Sequence, residues 1–248
     1  MSNMLDGNSN IFALEMYKET FENVSRHLIY SYRQFIENEL IEYVKKEDGK
    51  LWVLSEENQI KPEEFIRNVL IGKNYLRNKS FKSKFGIKHF EFHPEVGELD
   101  EEDTNIIGNH DIKVTGISLG IIGEADEDIY FSFECKRLNS HFQNTSEYIN
   151  NGIKRYVKKQ YSSKMPIAGM IGFVEEKTPE FFVNQINEKL SKLNNKKTII
   201  TKQTLKTYDI YPDFKNSYNS IHNKIDNNEI QIYHFMFPIG DIITIKEK

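Results

Sequence analysis

Apolar residues recur every three or four positions near the start of the chain, which is the spacing of one face of an α-helix. The apolar positions run from Tyr17 to Val44, and they predict a helix over about residues 11–46. We interpret residues 1–60 as a helical N-terminal extension. Its wide apolar face is compatible with a contact to a second copy of the chain or to a partner protein.

The rest of the chain, residues 61–248, alternates between helical and strand patterns, which predicts one α/β domain. Apolar and polar side chains alternate over residues 110–117 and 128–139, as in strands with one buried face. Residues 167–174 are apolar throughout, which indicates a strand covered on both faces. The remaining predicted elements are helices at 62–72 or 62–76, 144–161 and 178–194, a strand at 230–239 and a loop at the acidic stretch 95–103, while residues 195–228 have no clear pattern.

Composition indicates a globular protein. Of its 248 residues, 38% are hydrophobic, and 17 Phe and 13 Tyr provide enough aromatic area for a core. No apolar run approaches the roughly 20 residues that cross a bilayer. The N-terminus has no basic segment followed by an apolar one, so we expect no secretory signal, no membrane association and a cytoplasmic protein. The single cysteine, Cys135, excludes an internal disulfide framework and a cysteine-based zinc site.

The net charge of −4 argues against a general nucleic-acid binder, but the bases are clustered. Residues 73–88 contain six bases, residues 153–164 contain five and residues 189–206 contain six, and none of these runs contains an acid. A phosphate backbone responds to local charge, because screening limits the reach of a charge to about 8–10 Å. Each run is therefore compatible with phosphate binding, and a solvated face is the alternative.

The strand predicted at residues 128–139 carries the side chains that point to chemistry. Its alternation places Phe133 and Cys135 on an apolar face, and Glu134 and Lys136 on the opposite one. A carboxylate and an ammonium on a half-buried strand cost desolvation energy unless a partner or a metal compensates it. Cys135 is interpreted as a core residue rather than a nucleophile.

A hairpin between the two alternating strands supplies a second carboxylate. Placing Asp111 opposite Glu134 centres the turn near residues 122–123, beside two glycines. Adjacent carboxylates repel each other and raise each other's pKa, and a divalent cation resolves this conflict. Oxygen ligands favour Mg²⁺ or Mn²⁺ over zinc. A lysine beside such a site can orient water or stabilise developing negative charge.

The order of these residues resembles the PD-(D/E)XK nuclease superfamily. The similarity begins at Asp111 and continues through Glu134-Cys135-Lys136-Arg137-Leu138. It extends over Asn151-Gly152-Ile153-Lys154-Arg155-Tyr156 and the strand after it, in a form similar to restriction and phage-defence nucleases. His110 precedes Asp111, where the family pattern has proline. The resemblance implies a mixed central β-sheet flanked by helices, and Mg²⁺-dependent hydrolysis of DNA phosphodiester bonds.

The resemblance also implies a role for each site residue. Asp111 and Glu134 would bind Mg²⁺ or Mn²⁺, with the backbone carbonyl of Cys135 as a further ligand. Lys136 would position the attacking water. The family often adds a glutamate from a preceding helix, for which Glu63 fits best, with Glu64 and Glu39 as the alternatives.

Two functions are open at this stage. In the first, the chain is a metal-dependent DNA endonuclease of bacterial restriction or anti-phage defence, and Lys154, Arg155 and Lys158 hold the DNA backbone. In the second, it is a non-catalytic nucleic-acid-binding or scaffold subunit of a defence complex on a degenerate nuclease fold. His222 and His234 are interpreted as structural histidines in either case.

Overall fold

The computed structural model describes residues 7–46, 49–54, 59–99, 106–116, 130–140, 143–160 and 165–246. The helices are α1 (Gly7–Asn38), α2 (Pro62–Ile71), α3 (Lys79–Lys84), α4 (Gln143–Tyr148), α5 (Lys154–Val157) and α6 (Pro179–Asn195), with a π-helical turn at Ile149–Ile153 and a 3-10 turn at Gly240–Ile242. The strands are β1 (Ile41–Lys45), β2 (Leu51–Leu54), β3 (Gln59–Ile60), β4 (Phe90–Leu99), β5 (Ile106–Gly116), β6 (Phe131–Leu138), β7 (Ile167–Val174), β8 (Thr201–Thr207), β9 (Ser217–Asn223), β10 (Glu229–Pro238) and β11 (Ile243–Lys246).

The described strands form two sheets. The larger is seven-stranded, in the order β4-β5-β6-β7-β10-β9-β8, and the smaller is four-stranded, in the order β11-β1-β2-β3. At the centre of the larger sheet, β7 pairs in parallel with both β6 and β10, whereas the outer pairs are antiparallel. The fold is therefore a mixed central sheet flanked by helices, as the resemblance implied. None of the described helices combines the length and the apolar character that a bilayer span requires.

Helix α1 packs against one face of the larger sheet. The ring of Phe21 stacks on that of Phe133 with 5.4 Å between centroids, and the ring of Tyr32 stacks on that of Phe237 at 4.0 Å. These side chains belong to one buried apolar cluster that also contains Cys135. A boundary at residue 60 stays a prediction, but the helix before that residue supplies one layer of the core after it.

The other face of the sheet is covered by the segment 143–157 and helix α6. Tyr148, Tyr156 and Phe182 pack there with Met170 of β7 in a second buried apolar cluster. Every residue of β7 is buried, which confirms the prediction of a strand covered on both faces. The central strands are thus enclosed by helices on both sides, so polar groups at their ends require specific partners.

The predicted boundaries of two elements are wrong. The first helix ends at Asn38, and residues 41–45 form β1, in which Ile41 pairs with Ile243 of β11. A short apolar run fits a helix or a strand equally well, and its partner lies about two hundred residues away. The acidic stretch is not a loop over its first half, because β4 continues to Leu99 in pairing with β5. Residues 100–103 lie outside the described residues.

The hairpin register that the alternation predicts is confirmed. Ile112 pairs with Phe133 and Val114 pairs with Phe131. One residue further along the same register, Asp111 comes level with Glu134. The predicted turn at residues 122–123 lies outside the described residues.

Two buried histidines link the strands on the far side of the sheet. The Nε2 atoms of His222 and His234 both lie 2.8 Å from Ser220 Oγ. The second ring nitrogen of His222 lies 3.1 Å from Thr201 Oγ1, and that of His234 lies 2.9 Å from Tyr148 Oη. Both rings are thus fully partnered within the structure. Burial lowers the pKa of His222 to about 3, and it lowers that of His234 well below its ordinary value.

These lowered pKa values predict that the protein loses stability in mild acid. Below about pH 6.5 the unfolded chain binds a proton at His222 and the folded chain does not, so the free energy of unfolding falls by about 2 kcal/mol per such histidine at pH 5. Urea unfolding at several pH values measures this dependence. His222→Gln is expected to weaken it, whereas His89→Gln, at an exposed histidine, is expected to leave it unchanged. An equal pH dependence in all three proteins would contradict the prediction.

Candidate active site

Three carboxylates and one ammonium meet where β5, β6 and the start of α2 come together. Lys136 Nζ lies 2.7 Å from Glu134 Oε1 and 3.6 Å from Asp111 Oδ2. It lies 3.6 Å from Glu63 Oε1 and donates a hydrogen bond of 2.6 Å to the backbone carbonyl of Cys135. The structure therefore brings together all the residues that were predicted for catalysis and metal binding. Glu63, Asp111 and Glu134 are called the carboxylate cluster below.

Glu63 reaches the cluster because α2 begins beside β6. A proline occupies the first helical position and Glu63 follows it in the first turn, where the backbone N–H of Arg137 donates to Glu63 Oε2 at 3.0 Å. Burial raises the pKa of Glu63. Glu39 instead accepts a hydrogen bond of 2.5 Å from Tyr75. The contact to the ammonium favours Glu63 over both alternatives as the third carboxylate.

Asp111 is held by two donors that were not predicted from the sequence. Arg67 Nη1, from α2, lies 2.9 Å from Asp111 Oδ1, and Arg67 is itself buried. The backbone N–H of Cys135 donates to Asp111 Oδ2 at 2.7 Å. The Cys135 side chain lies in the apolar core, as predicted. Both backbone polar groups of this residue are thus available to the site, and Asp111 is fixed on two sides.

Glu134 is the most buried member of the cluster. Its side chain is 2% exposed, and its Oε2 atom has no hydrogen-bond partner among the described residues. Burial, together with the charge of Asp111, raises the pKa of Glu134 to about 8. Burial alone would lower the pKa of Lys136, but the neighbouring carboxylates raise it overall. The buried carboxylates therefore depend on neighbouring cationic side chains, above all Lys136, to compensate their charge.

The π-helical turn at Ile149–Ile153 packs closely above Glu134. A Cβ atom added at Gly152 would lie 2.2 Å from Met170 Cε and 4.0 Å from Glu134 Cγ. A larger residue at this position therefore cannot be accommodated unless Met170 moves, and Met170 is fully buried. π-Helical turns are rare overall, and many of those that occur lie at functional sites.

We expect Gly152→Ala to destabilise the protein by about 1–3 kcal/mol, which is the usual cost of overpacking a core. Urea unfolding measures this loss. Asn151→Ala is the matched control, because Asn151 occupies the same turn but is exposed. If the collision with Met170 is the cause, Met170→Ala should cost less in the Gly152→Ala background than in the parent protein. Additive effects of the two substitutions would contradict this explanation.

The predicted nucleic-acid-binding residues differ in their surroundings. Arg155 Nη1 lies 3.4 Å from Glu134 Oε1, so this guanidinium borders the carboxylate cluster. Lys154 is half-buried and Lys158 is exposed. Of the three predicted residues, Arg155 is therefore the one with a contact to the carboxylate cluster.

A second buried polar chain runs beside the cluster and was not predicted. Ser132 Oγ lies 2.7 Å from His110 Nδ1, and His110 Nε2 lies 2.8 Å from Glu98 Oε2. Tyr130 donates to the other oxygen of Glu98, and the Tyr156 hydroxyl lies 3.2 Å from Ser132 Oγ. The available signal was the position of His110 beside Asp111 and of Ser132 two residues before Glu134. This chain braces β4, β5 and β6 where the cluster is built.

Comparisons of the chain with protein-family models, with curated proteins and with solved structures found no match. The resemblance to the PD-(D/E)XK superfamily therefore stays a prediction.

The cluster fits a divalent cation by the chemistry of its donors. Three carboxylates and a carbonyl surround the Lys136 ammonium, and Glu134 Oε2 is a buried oxygen without a hydrogen-bond partner in the part of the chain that the structure describes. In the described part of the chain, no group of three or more His, Cys, Asp or Glu side chains is arranged to hold a metal ion as it stands. The ammonium lies among the oxygens instead. If a divalent cation were bound, Glu63, Asp111, Glu134 and the carbonyl of Cys135 would be the groups to hold it.

Proposed function

We propose that this protein is a metal-dependent nuclease that hydrolyses the phosphodiester bonds of DNA. The observation that supports this function best is the arrangement of three carboxylates and a backbone carbonyl around one ammonium, with Lys136 Nζ 2.6 Å from the Cys135 carbonyl oxygen and 2.7 Å from Glu134 Oε1. A buried site that selects a cation through oxygen atoms is suited to a hard divalent ion. Such an ion is a common means of activating water and phosphate.

The proposed metal ligands are the oxygen atoms of the cluster. Asp111, Glu134 and the carbonyl of Cys135 would hold Mg²⁺ or Mn²⁺, and Glu63 would complete the set. When bound, the ion polarises the phosphate and lowers the pKa of a coordinated water. Replacing one ammonium by a divalent cation also compensates more of the negative charge of the cluster.

The cationic side chains have the remaining roles in this mechanism. Lys136 would donate a hydrogen bond that orients the attacking water. Arg155 would contact a non-bridging oxygen of the scissile phosphate, where negative charge increases during attack. Lys154 and Lys158 would bind neighbouring phosphates, which gives affinity without sequence recognition.

A cleavage assay tests the proposal directly. The full chain is incubated with single-stranded DNA, duplex DNA or RNA in the presence of Mg²⁺, Mn²⁺, Ca²⁺ or EDTA. We expect DNA cleavage with Mg²⁺ or Mn²⁺, none with EDTA, and none by Asp111→Asn. Absence of cleavage under every condition, without a rise in Tm on adding Mg²⁺, would overturn the proposal. It would favour the non-catalytic binding subunit instead.

The proposal includes a role in bacterial restriction or anti-phage defence, alone, as a homodimer or with a partner protein. This part is supported by the resemblance alone. Phage plating on bacteria that express the parent protein or Asp111→Asn tests it. Equal plating on both strains would exclude a defensive role for the nuclease acting alone.

A further inference from the structure

A cleft of about 550 Å³ opens directly beside the carboxylate cluster. One wall comes from β2 and the residues before it, including Lys50 and Trp52, and another from the start of α2, including Lys61 and Glu63. The end of β6 contributes Arg137. The volume lies within the roughly 300–1,000 Å³ range of sites that bind small organic ligands.

The cleft and the proposed catalytic site share residues. Glu63 lines the cleft and also lies 3.6 Å from Lys136 Nζ. Arg137 lines the cleft, and its backbone N–H donates to Glu63 Oε2 at 3.0 Å. A group bound in the cleft would thus be a direct neighbour of a group bound at the cluster.

The lining of the cleft combines an aromatic ring and exposed cations with two glutamates, Glu63 and Glu147. Trp52 is the only tryptophan in the chain, and the ammonium of Lys46 lies 4.4 Å from its ring centroid. Lys50 and Lys61 are exposed at the cleft. Asn144 adds an amide that can form hydrogen bonds with a ligand. An aromatic ring flanked by lysines is the surface on which an unpaired base stacks while its phosphate is neutralised.

We propose that this cleft binds an unpaired nucleotide next to the scissile phosphate, with the base against Trp52 and the phosphate beside Lys61. This inference rests on the proposed nuclease function and specifies its substrate class. A base that is stacked and paired inside a duplex cannot enter the cleft without leaving the helix, which costs free energy. The preferred substrate is therefore single-stranded DNA, or a duplex with an unpaired end or flap.

The single tryptophan makes the cleft directly observable. The fluorescence of Trp52 in the full chain is titrated with oligothymidylate in Ca²⁺, and with a blunt duplex rich in G·C pairs. We expect saturable quenching by the single strand and about tenfold weaker binding of the duplex. Equal affinity for the two DNAs would overturn the inference. So would unchanged fluorescence while the anisotropy of a labelled oligothymidylate reports binding.

Substitutions at exposed residues keep the test independent of folding. Lys61→Gln is expected to weaken oligothymidylate binding about fivefold, because it removes one phosphate contact. Lys215→Gln makes the same charge change at an exposed position outside the three basic runs and is expected to have no effect. Equal effects of the two substitutions would overturn the inference. For Trp52→Ala, we expect a higher KM for single-stranded DNA with little change in kcat.

The outcomes separate this inference from the proposed function. If oligothymidylate quenches Trp52 but no divalent ion supports cleavage, the cleft binds an unpaired nucleotide and the proposed nuclease activity is wrong. If metal-dependent cleavage is equally efficient on duplex DNA and Lys61→Gln leaves it unchanged, the protein is a nuclease and the proposed binding of an unpaired nucleotide in the cleft is wrong.

Discussion

Glu134→Gln is expected to reduce metal-dependent DNA cleavage by about 10³-fold or more while the protein stays folded. The amide keeps an oxygen that can accept the hydrogen bond from Lys136, but it removes the negative charge that would hold the metal. Glu134 is the most buried carboxylate of the site, at 2% exposure of its side chain. Water therefore has little access to this position and cannot take the place of the carboxylate as a ligand.

The stability of the same variant provides a second readout. Since the pKa of Glu134 is raised to about 8, the folded state binds this proton more tightly than the unfolded state. Stability that comes from this group is therefore present below about pH 4.5 and is lost as the pH rises to 8. Glu134→Gln has no such penalty, so we expect its free energy of unfolding in EDTA at pH 8 to equal or exceed that of the parent.

The neighbouring glutamates of α2 provide the matched control for cleavage. Glu64→Gln changes the same charge one residue from Glu63 and is expected to retain most of the activity, whereas Glu63→Gln is expected to lower it. Cleavage by Glu134→Gln at the parental rate would show that the site is assigned to the wrong residues. If Glu64→Gln loses cleavage activity and Glu63→Gln does not, Glu64 and not Glu63 is the third carboxylate of the site.

Lys136→Met is expected to lower the free energy of unfolding in EDTA by about 3 kcal/mol, the scale of breaking a buried ion pair. The ammonium lies between Glu63, Asp111 and Glu134, and its side chain is 12% exposed. Its removal leaves three carboxylates without their central cation. Mg²⁺ should restore about 2–3 kcal/mol at concentrations near 100 times its Kd, because it binds the folded state alone.

Lys82→Met separates this effect from the loss of any buried lysine. Lys82 is also buried, and its ammonium contacts the carbonyl of Phe90 at 2.6 Å and Glu91 Oε1 at 3.2 Å, neither of which belongs to the cluster. The Lys82→Met variant should also have a lower free energy of unfolding than the parent in EDTA, but Mg²⁺ should not restore it. Urea unfolding of both variants with EDTA and with Mg²⁺ measures the difference. Equal behaviour of the two variants would argue against a cation site at the cluster.

Much of the site could be predicted because it depends on local order along two strands. The period of two in side-chain direction identified the buried face of β6, and the register with β5 followed from matching the alternating patterns. That register brings Asp111 level with Glu134. Proline at the start of α2 correctly located Glu63 in a first helical turn.

Other features could not be predicted, because they depend on contacts between residues far apart in the chain. The buried Arg67 reaches Asp111 across 44 positions, and His110 bonds to Glu98 on one side and Ser132 on the other. Residues 41–45 form a strand because β11 pairs with them, whereas their apolar pattern alone also suits a helix. In each case a contact between distant parts of the chain decided the outcome, and such contacts have no local pattern in the sequence.

Strand alternation over residues 110–117 and 128–139, with the helical patterns around it, is sufficient to predict an α/β domain and the proximity of Asp111 to Glu134, because alternation is a local property of the sequence. The tertiary structure alone decided which glutamate joins them, which arginines fix and border them, and that a cleft with Trp52 opens at their side. Those choices depend on how α2, the small sheet and the π-helical turn pack against β6, and packing over such separations leaves no periodic signal in the sequence.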